Sequence, residues 1–140
     1  MPSTALGVEF KLGTSGEAVI GFHCGTQTAT WNDVFSTSGC YYAIYKSWNG
    51  GTYIIEPASG FWRPASATSL DPGIWNPDWA SDMWQLKVTP TGDVEYYRNS
   101  VQFYTSGVQL SSSFKLHATF NLNGKVVEVK FLYEACPKNR

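Results

Sequence analysis

The fold is decided by residues 83 to 105, MWQLKVTPTGDVEYYRNSVQFYT. Within this stretch, residues 83–89, 94–98 and 101–105 alternate apolar and polar side chains, which is the period of a half-buried β-strand. Proline, glycine, aspartate and asparagine separate the three runs, and these residues favour tight turns. The stretch therefore predicts three successive antiparallel strands, which form a meander.

The first run also predicts where the core lies. Trp84, Leu86 and Val88 share one face of it, and the polar or charged residues between them take the other. A sheet with one apolar face has to cover that face. We therefore expect Trp84, Leu86 and Val88 to be buried against a second sheet.

Strands are predicted along most of the remaining chain. The candidate runs are VEFKL (8–12), AVIGFHC (18–24), YYAIYK (41–46), TYIIE (52–56), FKLHATFNL (114–122) and KVVEVKFLY (125–133). The Asn123-Gly124 pair between the last two runs suits a type I′ turn, so those two are predicted to form a hairpin. About nine short strands, without a long apolar stripe at helical spacing, predict an all-β fold of two stacked antiparallel sheets.

Size and composition limit the function. A chain of 140 residues can build its own core, so residues 1–140 are predicted to form one β-sandwich domain. A net charge of −1, with 15% charged residues, argues against nucleic-acid binding, which needs a basic surface. No apolar run is long enough to span a membrane. No signal-peptide pattern is visible at the start, so the compartment is left open, with an extracellular mature domain favoured.

One long segment interrupts the strands. Residues 57–82, PASGFWRPASATSLDPGIWNPDWASD, are called here the Trp-rich loop. Its prolines, glycines and Asx residues predict an elaborated loop, with a short strand around Gly60 to Trp62. Loops of this length in compact domains are often functional. Its tryptophans either pack against the sandwich or face a ligand, and we expect Trp75 or Trp79 to face a ligand.

Two stretches resemble a known family. They are YYAIYKSWNGGTYIIEPASGFW, and DMWQLKVTPTGDVEYYRNSVQFYTS with its Asp-led strand and Tyr-Arg-Asn hairpin. Together, over roughly residues 40 to 106, they are similar to SPRY-like domains of the concanavalin A-like superfamily. The resemblance implies a jelly-roll sandwich that binds glycans or peptides, in a superfamily that also contains glycoside hydrolases. The chain departs from the pattern at Asn99-Ser100, where Asn-Gly is usual, and in having the Trp-rich loop.

The acidic residues and histidines do not form a catalytic pattern. A glycosidase needs two facing carboxylates, about 5 Å apart for retention and further apart for inversion. Asp93 and Glu95 come closest to such a pair on one strand, but Asp93 falls in a turn. His117 alternates with polar residues, which predicts a solvated face, and His23 lies in no nucleophile motif. We expect no enzyme, with glycoside hydrolase kept as a minor alternative, and no metal or cofactor.

Carbohydrate recognition needs flat aromatic faces beside amide, carboxylate and guanidinium groups, in a concave and mostly apolar site. The Trp-rich loop and the turn near residues 46–51 supply that set. The predicted ligand-binding residues are Trp48, Trp62, Arg63, Trp75, Asn76, Asp78 and Trp79. The predicted function is a lectin-like recognition module. The alternatives are a SPRY-like peptide-binding module and an assembly domain whose exposed tryptophans contact another subunit; the oligomeric state is left open.

Three cysteines leave at least one thiol unpaired. Cys24 and Cys40 can close a short loop if their strands are neighbours, and Cys136 can tether the C-terminus. Buried free thiols that pack as small apolar residues are the other reading. No CxxC spacing is present, which argues against a zinc site.

Overall fold

The computed structural model of the protein describes residues 5–13, 16–24, 40–47, 52–57, 63–64, 82–110, 114–121 and 126–133. These residues contain ten strands. The strands are β1 (Ala5–Leu12), β2 (Glu17–His23), β3 (Tyr41–Lys46), β4 (Thr52–Ile55), β5 (Arg63–Pro64), β6 (Met83–Val88), β7 (Val94–Arg98), β8 (Val101–Thr105), β9 (Lys115–Asn121) and β10 (Val126–Tyr133).

The strands form two five-stranded antiparallel sheets. The order in the first sheet is β10-β1-β6-β7-β8, and the order in the second is β5-β4-β3-β2-β9. The predicted all-β fold of two antiparallel sheets is confirmed. The runs predicted at 8–12, 18–24, 41–46 and 52–56 coincide with β1 to β4. The short strand predicted at Gly60 to Trp62 lies outside the described residues, directly before β5.

The core lies between the two sheets, where alternate side chains of each strand meet those of the other sheet. It consists of Val8, Phe10, Leu12, Ile20, Phe22, Tyr42, Ile44, Ile54, Trp84, Leu86, Val94, Tyr96, Phe103 and Leu110. Trp84 and Leu86 are fully buried, as predicted, and Val88 is partly buried against the same cluster. The Trp84 ring meets the Phe103 ring edge-on, with 6.0 Å between the centroids. Fourteen packed side chains make this cluster the main source of hydrophobic stabilisation.

The predicted meander is present as β6, β7 and β8, which pair in chain order. Its second turn has positive φ at both central residues, 51° at Asn99 and 68° at Ser100, as a type I′ turn requires. Serine therefore occupies a position that usually holds glycine. The first turn places Gly92 at φ 91°, and a Cβ there would collide with the Leu110 carbonyl, so this turn depends on glycine.

The predicted hairpin between residues 114–122 and 125–133 is wrong. β9 pairs with β2 in the second sheet, and β10 pairs with β1 in the first sheet. The chain therefore crosses between the sheets from β9 to β10. Alternation shows that each run has one apolar face, but it does not specify the neighbouring strand. Here the longer-range pairings with β2 and β1 prevail over the local turn signal at Asn123-Gly124.

Candidate functional site

The structure describes only a small part of the predicted binding surface. The backbone of Arg63 lies in β5, opposite Ile54 of β4. The remaining predicted residues, and the side chain of Arg63, lie outside the described part of the chain; they are Trp48, Trp62, Trp75, Asn76, Asp78 and Trp79. Their assignment to a ligand stays a prediction. The described residues do establish where the Trp-rich loop leaves one sheet and enters the other.

The two attachment points of the Trp-rich loop are in different sheets. β5, inside the loop, is the edge strand of the second sheet, where it pairs with β4. Asp82, the last residue of the loop, directly precedes β6, the central strand of the first sheet. The loop thus carries the chain from a sheet edge to the middle of the opposite sheet.

Asp82 is fixed by a buried ion pair and a side-chain hydrogen bond. Its carboxylate lies 2.8 Å from Arg98 Nη2 and accepts a second hydrogen bond from Arg98 Nε at 2.9 Å. Asn99 Nδ2 donates to the other carboxylate oxygen at 2.9 Å, and Asn99 Oδ1 accepts from the Met83 amide at 2.8 Å. The Asp82 and Arg98 side chains are only 8% and 14% exposed. Charge-assisted bonds of this kind are the strong ones, so the end of the loop is held firmly.

We call these three residues, Asp82, Arg98 and Asn99, the clamp. Arg98 also lies over the Trp84 ring, 5.9 Å from its centroid, so the clamp rests directly on the core. The clamp gives a physical reason for the Asp-led strand and the Tyr-Arg-Asn hairpin in the sequence. Asp82 directly precedes β6 and Arg98 ends β7, so the antiparallel pairing of these strands brings the two charges together. Neither stretch by itself indicates that the two side chains meet.

The outer face of the second sheet, which points away from the core, is also buried across β2, β3 and β4. Its apolar residues are Val19, Tyr41, Ala43, Tyr45 and Ile55, none more than 9% exposed, with Tyr53 packed against them. This face is therefore not an open groove for a ligand. The sequence held a signal for this: AVIGF and YYAIY are nearly continuous apolar runs, as expected of strands buried on both faces.

A buried carboxylate lies at one end of this outer face. Glu17 is 7% exposed and accepts a hydrogen bond from Tyr45 Oη at 2.6 Å and another from Asn121 Nδ2 at 3.1 Å. Burial, followed by the hydrogen bond to Glu17, raises the pKa of Tyr45, so its hydroxyl stays protonated and remains a donor. The three side chains connect β2, β3 and β9 across the sheet. Their role is structural.

The two histidines lie together at the opposite end of the outer face. The His23 ring stacks on Tyr41 at 4.4 Å, and the His117 ring meets Tyr41 edge-on at 5.5 Å and His23 at 5.8 Å. His117 is partly buried, with its Nε2 atom shielded from solvent, while Lys115 on the same face of β9 is exposed, so the predicted solvated face is found only in part. Burial, and to a smaller extent His23 and Lys115, lower the pKa of His117 and keep it neutral at pH 7. Because Lys115 and Thr119 beside His117 are polar, the sequence alone does not indicate that His117 lies next to the buried His23 and Tyr41 rings.

A second buried carboxylate joins the two sheets. Glu56, at the end of β4, accepts hydrogen bonds from Tyr104 Oη, from Ser106 Oγ at 2.8 Å and from the Gly107 amide at 3.1 Å. These donors belong to β8 and the residues that follow it in the other sheet. Tyr96 Oη adds a link, donating to the Ile55 carbonyl at 2.7 Å. Glu56 is therefore occupied in holding the sheets together.

The carboxylates closest to a catalytic pattern are also occupied. Asp93 accepts hydrogen bonds from Gln109 Nε2 and Thr91 Oγ1, both at 3.0 Å, and these bonds lower its pKa. Glu95 accepts from Tyr97 Oη at 2.9 Å. A carboxyl with a lowered pKa is a poor proton donor at neutral pH. Within the described residues, no three His, Cys, Asp or Glu side chains gather as a metal site would require.

Cys24 and Cys40 form a disulfide, which settles the alternative left open by the sequence. They follow β2 and precede β3, with 5.5 Å between the Cα atoms, and the Cys24 amide donates to the Cys40 carbonyl at 3.1 Å. The bond closes the loop of residues 25–39 next to the His23–Tyr41 stack. Cys136 lies outside the described residues.

The disulfide predicts the thiol count of the native protein. Intact-mass measurement after thiol alkylation without reductant should find one modified cysteine, Cys136. Replacing Cys24 and Cys40 together by serine should lower the free energy of unfolding by about 3 kcal/mol, because a covalent loop of this length restricts the unfolded chain. The Cys136→Ser variant is the control and should melt like the parent. Three readily labelled thiols in the folded protein would contradict the bridge.

Comparison with known proteins finds no matching family model, no matching curated protein and no matching solved structure. The described residues include no helix long and apolar enough to cross a membrane.

Proposed function

We propose that the chain is a non-catalytic recognition module that binds carbohydrate through the Trp-rich loop. The observation that carries the proposal is the clamp, which fixes the exit of that loop by a buried ion pair. Ordering a loop during binding opposes association, and a loop fixed at its ends has less freedom to lose. A sequence with three Trp, three Asp and one Asn that ends at a fixed point is suited to a preorganised sugar site.

The buried outer face of the second sheet supports the same location. An open sheet face would offer a second place for an extended ligand, but Val19, Tyr41, Ala43, Tyr45 and Ile55 on that face are buried. The carboxylates Glu17 and Glu56 are engaged in hydrogen bonds that hold the sheets. These groups are therefore poor candidates for sugar hydroxyls, and the loop remains the better one.

We further propose that the sandwich is a concanavalin A-like jelly roll of the SPRY-like type. The support is the path of the chain, which changes sheet between β1 and β2, β5 and β6, β8 and β9, and β9 and β10. Jelly rolls and Greek-key sandwiches change sheet repeatedly in this way, whereas simple meanders do not. A SPRY-like module that binds a peptide through the same loop is the second candidate, favoured by the same clamp.

The proposal is tested by substituting Trp75 or Trp79 with alanine. Binding to the strongest sugar on a glycan array should fall about 30-fold or more for either variant, since an aromatic anchor contributes about 2 kcal/mol or more. The free energy of unfolding should stay within about 0.5 kcal/mol of the parent, as for other surface changes. Val101→Ala, at a residue 68% exposed at the start of β8, is the control and should retain binding.

The alternatives give different results. A loss of several kcal/mol in stability, with binding lost only through unfolding, would make the two tryptophans structural and contradict the proposal. An array without positives, together with binding of a short peptide that the same substitutions abolish, would select the peptide-binding module.

A further inference from the structure

The two sheets have four edge strands, and three of them carry features that oppose pairing with another chain. β10 has a bulge, with Glu128 at φ 53° and a register shift between Glu9 and Lys11 opposite it. β5 has only two residues, one of them proline. β8 has five residues, and the register shifts where it pairs with β7. Bulges, prolines and short edges are the usual protection against edge-to-edge association.

The fourth edge strand, β9, lacks these features. It has seven residues, KLHATFN, in continuous register with β2, and contains no proline, glycine or positive φ. No described strand pairs with its other edge. An unprotected edge of this length is a template for a further strand.

The inward-facing side of β9 is apolar and yet exposed. Leu116, Ala118 and Phe120 pair with the core-facing residues of β2, so they point between the two sheets. Ala118 is exposed and Phe120 is 44% exposed, because β9 ends the sheet on this side. A strand added beyond β9 would cover these side chains.

We propose that the free edge of β9 pairs antiparallel with β9 of a second copy of this chain, with the two-fold axis at Ala118. This register pairs Leu116 with Phe120 of the other copy, so apolar side chains meet on the inward side. On the outer side, His117 lies opposite Thr119. Lys115, the only formally charged residue of the strand, lies opposite Asn121 and meets no like charge. The strand is therefore complementary to itself, as an isologous contact requires.

The dimer joins the two second sheets into one continuous sheet and protects Phe120 from water. It presents two Trp-rich loops in one particle, which would raise the avidity for a multivalent ligand. The dimer itself does not depend on the proposed carbohydrate binding.

Sedimentation equilibrium of the native chain over a dilution series tests the proposal. We expect a reversible dimer with twice the 15.5 kDa mass of one chain, and a non-reducing gel should show that it is not covalent. Ala118→Lys places two ammonium groups together at the axis and should yield a monomer, which melts like the parent at concentrations low enough for the parent to be monomeric as well. The matched control is Val129→Lys, a residue 40% exposed on the β10 edge, which should remain a dimer.

Charge exchange provides the second measurement. Ala118→Lys and Ala118→Glu should each be monomeric, and an equimolar mixture of the two should recover the dimer, because opposite charges then meet at the axis. A native chain that stays at the monomer mass at every concentration overturns the proposal. So does a dimer that Val129→Lys disrupts and Ala118→Lys does not.

Discussion

Replacing Trp84 by alanine is expected to lower the free energy of unfolding by about 3–5 kcal/mol, the largest effect of any single substitution proposed for this chain. Trp84 is fully buried at the centre of the core, between Phe103 and the Arg98 guanidinium. Removing the indole leaves a cavity that the surrounding strands, fixed by their hydrogen-bond ladders, cannot close. Urea denaturation of the variant and the parent measures the difference.

Trp84→Phe separates packing from hydrogen bonding in this experiment. The Trp84 Nε1 is buried with no hydrogen-bond partner among the described residues, so phenylalanine loses volume without losing a bond. Its destabilisation should be clearly smaller than that of alanine. Val101→Ala, at an exposed site, should change stability by no more than about 0.5 kcal/mol. A loss below about 1 kcal/mol for Trp84→Ala would show that the indole does not organise the core.

Local sequence patterns predicted the part of the fold that local interactions determine. The alternation at Trp84 and Leu86, with a turn on either side of the next strand, identified the meander because its neighbours in the sheet are also neighbours in the chain. The same pattern failed at β9 and β10, whose partners β2 and β1 are more than ninety residues away. Pairing over such distances depends on which apolar faces complete the core, and alternation in one strand does not contain that information.

The outer face of the second sheet shows a similar limit. Alternation implies one solvated face per strand, which predicts an exposed His117. Across β2, β3 and β4 the face is instead buried, and the signal for it was the run of apolar residues without alternation at Tyr41 to Tyr45. The local sequence around His117 or Glu17 does not indicate burial, because the partners of these side chains come from other strands. His117 contacts Tyr41 and His23, and Glu17 accepts a hydrogen bond from Tyr45.

The candidate site, too, was predictable from the sequence only in part. The residue types of the Trp-rich loop predicted a binding surface, and that prediction depends on composition alone. The clamp was not predicted as a contact, because Asp82 and Arg98 are sixteen residues apart and meet only through the register of β6 and β7. Once the meander is known, that register follows from the Thr89–Asp93 turn between β6 and β7, so the contact could have been inferred from the hairpin geometry.

Replacing Asp82 by alanine is expected to lower the free energy of unfolding by about 3 kcal/mol, because it removes the carboxylate that forms an ion pair with the nearly buried Arg98 guanidinium. The double variant Asp82→Leu with Arg98→Met removes both charges and should recover most of this loss, since replacing a buried ion pair by apolar side chains of similar volume is often neutral. Urea denaturation of the parent, Asp82→Leu, Arg98→Met and the double variant gives the coupling energy directly.

The double variant also separates stability from function. It restores the core but not the charge-assisted bonds that hold the exit of the Trp-rich loop, so sugar binding should stay weakened even though the fold is stable. The expected result is therefore a near-native melting curve with sugar binding reduced several-fold relative to the parent. Binding is weaker because the loop again loses conformational freedom when the ligand binds. A double variant that binds like the parent would show that the clamp serves stability alone, and equal stability of all four proteins would contradict the buried ion pair itself.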